Sequence, residues 1–567
     1  MKFNPAWRLR FLSIVFILVA ALFLVRLFFI QVVRAEYYQD QGDRQYLRPS
    51  ASLFDRGGIY FSWKNGQVFS AATLKTGFIL AINPKLVTDP ETTYQKLSPI
   101  LALDKEDFMK KAAKKSDPYE ELANRLEQQV ADKIKALELP GVYLYKERWR
   151  FYPSEKSASH VIGLMGYKGD KYEGRYGLEK LFDPVLSRNT DQNFANFFVE
   201  MFVGVGKTLS GSTAKSQGDL VLTIEPQVQK FFEGELSKVK EKWSADQAAG
   251  IIMDPKTGEI LAMAALPNFH PGEKQADISY LSNPLVENVY EMGSIVKPLT
   301  MAAGLDAGVV RPSTTYKDEG TIYLNSKKIS NYDGKARGVV PMQEVLSQSL
   351  NTGVAFVTQR LGHDRFRKYM LGFGLGDKTG IDLPGEISGL VNNLNSSREV
   401  EYATASFGQG IAVTPVEMTR ALAVLGNGGY LVTPHVIKRI EYKSKLVDEI
   451  EPTKGPQVIK KETSDEITQM LVTVVDKALA GGKISLPRYS VAAKTGTAQM
   501  ASPSGGYYPD RYLHSFFGYF PAYNPRFLVF MYIVYPKGVK YSSETLTEPF
   551  TNTSKFLLNY YEVPPDR

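Results

Sequence analysis

Apolar positions follow different rhythms in successive parts of the chain. Residues Phe11–Val33 are apolar almost without a break, a stretch long enough to cross a bilayer as a helix. From Ala35 to about Pro140 short alternating runs are mixed with helical ones. Asp55-Arg56-Gly57-Gly58 predicts a turn into a strand at Ile59–Phe61, and Asn65-Gly66 predicts a hairpin turn, because both central residues tolerate positive φ. Asp104–Leu139 carries Lys, Glu and Ala at helical spacing, broken by Asp117-Pro118, and reads as two surface helices with a solvated charged face. The aromatic run F-A-N-F-F-V-E-M-F-V-G-V-G in Asn193–Gly206 reads as a buried strand or, as the alternative, an exposed contact with membrane or partner, and the small polar stretch Ser210–Gly218 as a linker.

Beyond the linker the pattern changes. Asp219–Ile224 alternates as a strand, Gln227–Lys242 has a helical stripe, and Gly250–Met253 turns through Asp254-Pro255-Lys256-Thr257-Gly258 into Ile260–Ala264. A helix starts near Ser294. Helical spacing returns at Val345–Leu361, Pro415–Leu425 and Thr463–Ala480, and the end is strand-rich at Val491–Gln499, Ser515–Phe520 and Leu528–Tyr535. Strands flanking a helical middle argue for an α+β fold with an antiparallel sheet flanked by helices.

Composition narrows the setting. A chain of 567 residues is too long for one core. Lys2, Arg8 and Arg10 precede the apolar stretch, so the positive-inside rule places residues 1–10 in the cytoplasm, 11–33 in the cell membrane as a single uncleaved span, and the rest outside. Arg26 interrupts that span and reads as a snorkelling side chain or a contact with a partner helix. The net charge of +8 comes from scattered lysines without an Arg-rich run, which argues against nucleic-acid binding. With no cysteine, disulfides and thiol catalysis are excluded. The five histidines (His160, His270, His363, His435, His514) lack metal-ligand spacing, so neither metal nor cofactor is expected.

The candidate chemistry centres on E-M-G-S-I-V-K at Glu291–Lys297. Ser294 and Lys297 are three apart, hence on one helical face, and an amine beside a hydroxyl can take the proton that makes serine a nucleophile. Ser-x-x-Lys also occurs at Ser212/Lys215 and Ser237/Lys240. Ser294 is set apart by two downstream runs: Ser349-Leu350-Asn351, 55 residues on, and Lys494-Thr495-Gly496-Thr497, 145 residues further. Lys-Thr-Gly recurs at Lys75, Lys256 and Lys378, and Ser187-Arg188-Asn189 is another Ser-x-Asn. Only Lys494 comes after a small apolar strand run and precedes Thr-Gly-Thr, as an active-site edge strand would require.

In this order the three elements resemble the class B penicillin-binding proteins, a family of monofunctional peptidoglycan D,D-transpeptidases. The similarity extends to D-R-G-G-I-Y, R-W-R-F-Y-P, Y-G-L-E-K-L-F-D, D-P-K-T-G-E-I-L-A-M-A, T-G-I-D-L-P-G-E and S-F-G-Q-G-I-A-V-T-P, and leans toward the cell-division type. The family usually has Pro where Met292 stands, and Asn189–Gly218 departs from its pattern. The resemblance implies an elongated N-terminal pedestal domain of the dimerisation type at 35–210 and a transpeptidase domain at 218–567. It implies Ser294 as the nucleophile that forms an acyl-enzyme, Lys297 as base, Ser349 as proton relay, and Asn351, Lys494, Thr495, Gly496 and Thr497 as substrate-binding residues. It also implies stem peptides ending in D-Ala–D-Ala as substrates, β-lactams as covalent inhibitors, a membrane setting, and a SEDS-family glycosyltransferase and other division proteins as partners. The alternatives are a β-lactamase or β-lactam sensor, an elongation- or sporulation-specific transpeptidase, and a division scaffold with a vestigial site.

Overall fold

The computed structural model describes residues 54–169, 171–188, 217–275, 277–482 and 484–567, together with Leu18, Val19, Leu22 and Arg26. Those four are helical, but the rest of Phe11–Val33 lies outside the described residues. So do Asn193–Gly206, most of Ser210–Gly218 and the pair Ser212/Lys215. Among the described residues no helix is long and apolar enough to cross a membrane.

Two compact units interleave along the chain: one is built on Leu74–Trp149, the other on Arg56–Thr73, Arg150–Arg188 and everything from 217 onward. Strands β1 (Ile59–Ser62) and β2 (Val68–Ile82) form the predicted hairpin, with Gly66 at φ +84° and its N–H donating to Trp63 O at 2.9 Å. In the first unit β2 pairs antiparallel with β3 (Glu120–Leu126) and also pairs with β4 (Val142–Phe151). The two surface helices expected in Asp104–Leu139 are present as Lys105–Ala112 and Gln128–Lys135, but β3 lies between them. Glu-Glu-Leu-Ala-Asn-Arg-Leu is a poor strand sequence by propensity. Pairing with β2 overrides that, and it buries Leu126 and Glu120, the latter ion-paired to Lys114. Nor are the helices merely solvated, since Phe108, Ala112 and Ile134 form a small core with Leu80, Ile82 and Leu97.

The second unit holds the larger core. Strand β5 (Gly218–Leu222) runs parallel to β1 and antiparallel to β10 (Ile437–Tyr442), so the strand expected at Asp219–Ile224 joins this sheet and not the antiparallel one that comes after it in sequence. Helix α1 (Pro226–Lys242) starts on a Glu225 cap with Pro226 at its first position, and Val228, Phe232, Leu236 and Val239 bury one stripe. The second sheet has the order β11-β12-β13-β6-β7: Ala492–Ala501, Tyr507–Phe520, Phe527–Val534, Gln247–Met253 and Ile260–Leu266. All its pairings are antiparallel. Every residue of β13 is buried, because α1 and α7 (Thr547–Tyr560) cover one face of the sheet while α5 (Pro415–Gly426) and α6 (Lys461–Thr473) cover the other. Full burial of each such Phe or Leu side chain contributes about 1.5–3 kcal/mol. Strand β11 is the open edge of this sheet.

Three stretches far apart in sequence meet in one buried ion cluster of this unit. Arg56 donates to Glu179 Oε2 at 2.7 Å and to Asp183 Oδ1 at 2.8 Å; Arg150 donates to Glu179 Oε1 at 2.6 Å and to Gly57 O at 2.7 Å. Burial pushes the Glu179 carboxyl up, but the two guanidiniums more than offset it and hold it below the usual carboxylate range.

Candidate active site

Gly293–Val296 is one 3-10 turn that runs directly into α2 (Lys297–Asp306). The Lys297 N–H donates to Ser294 O, and side chains three apart share a face of such a turn, so Ser294 and Lys297 lie on one side of it. Gly293 has φ +65°, and a Cβ there would lie 2.8 Å from Thr497 O. Across from it, a Cβ on Gly496 would lie 2.3 Å from Ser515 Oγ and 2.7 Å from Met292 O. Only glycine backbone lets the serine turn and strand β11 approach this closely. Met292, where the family pattern has Pro, is buried with φ −88°, and its carbonyl accepts from Ser515 Oγ at 2.8 Å.

Lys297 is completely buried, and its Nζ donates to Ser349 O at 2.5 Å and Ser349 Oγ at 3.1 Å. Burial pushes the ammonium well below the usual lysine range, and the charge on Lys494 pushes it further the same way. Ser349 can present both oxygens because the helix expected over Val345–Leu361 is broken there. Helix α3 (Met342–Ser347) stops, Ser349 takes φ +55°, and α4 (Asn351–Leu361) begins two residues later. A non-glycine residue at positive φ is strained, and the Leu350 N–H bond to Val345 O at 2.9 Å helps hold the break.

Asn351 opens α4, and its Nδ2 donates to Ser330 O at 2.8 Å. Ser330 ends a small hairpin, β8 (Thr321–Leu324) and β9 (Lys327–Ser330). Behind it lies a buried polar network: Thr352 Oγ1 donates to Asp318 Oδ1 at 2.7 Å, and Asn331 Nδ2 reaches both Asp318 oxygens at 3.0 Å. Sequence patterning missed this hairpin and the network. The signal was there: Asn325 and Ser326 sit at φ +47° and +60° between I-Y-L and K-K-I, a two-residue hairpin turn.

On the opposite wall Lys494 is buried, its Nζ donating to Thr495 O at 3.0 Å; burial pushes it down to about 8. Thr497 Oγ1 accepts from the Ser542 N–H at 3.1 Å. His514, the register partner of Thr497, is pushed by burial down to about 4 and stays neutral between Thr545 Oγ1 and Lys540 O. A cleft of about 730 Å³ opens between these walls, and Ser294, Ser349, Asn351, Lys494, Thr495 and Thr497 all line it. The competing motifs do not converge. Ser237 donates to Glu241 on the exposed side of α1, Lys75 ion-pairs with Glu127, and Lys256 pairs with Asn524 in a turn.

Known proteins are similar to this chain along nearly its whole length. The penicillin binding protein transpeptidase domain matches residues 248–554, and the penicillin-binding protein dimerisation domain matches residues 55–194. Stage V sporulation protein D of Bacillus subtilis strain 168 is 31% identical over 554 residues, spanning 96% of this chain and 84% of that protein. Peptidoglycan D,D-transpeptidase FtsI of Escherichia coli strain K12 is 28% identical over 575 residues, spanning 99% of this chain and 93% of that protein. Among solved structures, penicillin-binding protein 3 of Mycobacterium tuberculosis with aztreonam superposes at TM-score 0.67 and 24% identity, covering 91% of this chain and 98% of that one. Penicillin-binding protein 2X of Streptococcus thermophilus gives TM-score 0.73 at 21% identity, covering 90% and 81%. At those identities the two structures speak for the fold alone. A transpeptidase domain matched over more than half the chain, a dimerisation domain ahead of it and relatives aligned almost end to end make this chain a class B penicillin-binding protein.

Proposed function

We propose that the protein is a serine D,D-transpeptidase that cross-links peptidoglycan stem peptides through an acyl-enzyme on Ser294. The observation that carries this is Lys297: a fully buried amine hydrogen-bonded to Ser349, depressed in pKa, and one 3-10 turn from a half-buried serine. A neutral amine there accepts the Ser294 proton as Oγ attacks the carbonyl of the D-Ala–D-Ala bond. The proton then passes through Ser349 to the departing D-Ala amine. Asn351 hydrogen-bonds the donor's amide, and edge strand β11 pairs with its extended backbone. Lys494, with Thr495 and Thr497, holds the terminal carboxylate. The N–H groups of Ser294 and Thr497, brought together across Gly293 and Gly496, stabilise the tetrahedral oxyanion, each at about 3–4 kcal/mol. Acyl transfer to the amine of a second stem peptide completes the cross-link.

The name carried by the Escherichia coli relative supports this activity; we take septal duty from the cell-division lean of the sequence motifs, and the sporulation name of the Bacillus relative keeps a developmental role as the second reading. The segment Phe11–Val33 serves as membrane anchor and as the contact with a SEDS-family glycosyltransferase in this proposal. Purified full-length protein given a synthetic stem pentapeptide and an amine acceptor releases D-Ala and forms the cross-linked dimer, and labelled penicillin remains bound. Rapid penicillin turnover would mean a β-lactamase, stable labelling without dimer a sensor, and no labelling a scaffold.

A further inference from the structure

The charge of the cleft goes beyond what the terminal carboxylate requires. Three lysines line it, Lys328, Lys494 and Lys540, and among the described residues no aspartate or glutamate does. Lys494 is assigned to the terminal carboxylate of the donor. Lys328 and Lys540 belong to none of the three motifs, and they enter from opposite walls. Lys328 sits on β9, two residues before the Ser330 carbonyl that accepts from Asn351. Lys540 precedes Tyr541 and Ser542, whose N–H donates to Thr497.

Among the described residues neither lysine is within ion-pair distance of a carboxylate, and both are exposed. Three acidic groups of the surrounding segments are already engaged. Asp333 pairs with Arg337 at 2.7 Å, Asp318 is buried in the Thr352–Asn331 network, and Glu291 accepts from Gly410 N and the Tyr507 hydroxyl. Lys540 is also held in place: its Nζ lies 5.5 Å from the Tyr541 ring centroid, and that ring meets Tyr332 edge-on at 5.9 Å across the cleft. A concave site lined by one sign of charge focuses its field on a ligand of the opposite sign.

Resting on the transpeptidase assignment above, we propose that the preferred donor is a stem peptide with a free side-chain carboxylate upstream of its terminal one, and that Lys328 and Lys540 select it over the amidated form. Two stem positions offer that chemistry: the γ-linked glutamyl residue and a diacid third residue. A carboxamide at either position has the same shape without the charge, so discrimination is electrostatic. Exposed pairs of this kind are modest, about 2- to 5-fold per lysine, and they weaken with salt.

The test uses full-length protein and synthetic stem pentapeptides in four forms: both carboxyls free, either one amidated, or both amidated. Two readouts are taken, kcat/KM for D-Ala release and protection of Ser294 from fluorescent penicillin. The free form is expected to exceed the doubly amidated form by about 3- to 20-fold at low ionic strength, with the ratio collapsing in about 0.5 M salt. The singly amidated stems show which carboxylate is read. Lys328→Gln and Lys540→Gln each lower the free-to-amidated ratio, and Lys540→Glu, whose charge opposes that of Lys328, brings it close to one. Equal use of all four stems, or a ratio untouched by these substitutions, overturns the inference while leaving the transpeptidase assignment in place. If penicillin fails to label Ser294 and no stem is used, the assignment itself falls, and the inference with it.

Discussion

Lys494→Ala separates the site's chemistry from the fold's stability. Lys494 is only 4% exposed, its Nζ donates to the carbonyl of its neighbour Thr495, and burial pushes it down to about 8. A charge held under those terms costs the fold free energy, so its removal is expected to leave the melting temperature unchanged or raise it. Acylation should suffer. A hydrogen bond to a charged group contributes about 1.5–3 kcal/mol, which is about 10- to 150-fold in the second-order rate constant for a carboxylate-bearing β-lactam. The pH profile carries a second signature. In the native protein acylation rises with pH as Lys297 loses its proton and falls above about 8 as Lys494 loses its own, the two apparent values belonging to the coupled pair. Without Lys494 the repulsion on Lys297 is gone, so its pKa climbs and the rising limb moves to higher pH, while the falling limb near 8 disappears. Stopped-flow acylation across pH, with thermal unfolding of the same samples, reads all three effects. A melting temperature lowered by several degrees with acylation and pH profile unchanged would refute the reasoning. Lys494→Arg should restore only part of the rate, because a planar guanidinium does not replace a compact ammonium.

Other perturbations test the supports. Gly496→Ala puts a Cβ 2.3 Å from Ser515 Oγ and 2.7 Å from Met292 O, so it should destabilise by about 1–3 kcal/mol in urea and slow acylation further than that loss explains. Thr352→Val keeps the shape but strips the donor from Asp318; about 1–3 kcal/mol of stability should go, measured as a lower midpoint at constant m-value. Glu179→Gln leaves Arg56 and Arg150 with an uncompensated buried charge and should cost about 3–5 kcal/mol, while the folded fraction acylates penicillin at the native rate.

The three motifs and their order were legible because each is a short run whose chemistry depends on local spacing. So was the Asn65-Gly66 hairpin, which two residues determine. What the sequence concealed is tertiary. Strand β3 is a Glu- and Ala-containing run that only pairing with β2 makes extended. The break at Ser349 looks like uninterrupted helix by periodicity, since Val345, Leu346 and Leu350 keep the apolar stripe going through a residue at φ +55°. Strand β5 looked like the start of the catalytic sheet because it precedes β6 in the chain, yet its partners are β1, far upstream, and β10, far downstream. The buried Lys297 amine is a fourth case: its position was readable, but its lack of solvent, which sets its basicity, depends on everything packed around it.

The central claim is that Ser294 carries the acyl group. Full-length protein treated with benzylpenicillin, digested and sequenced by mass spectrometry, should show one penicilloyl adduct, on the peptide containing Glu291–Lys297 and at Ser294. Ser294→Ala should abolish the adduct, whereas Ser212→Ala and Ser237→Ala retain it. An adduct on any other serine, or one that survives in Ser294→Ala, would contradict the account.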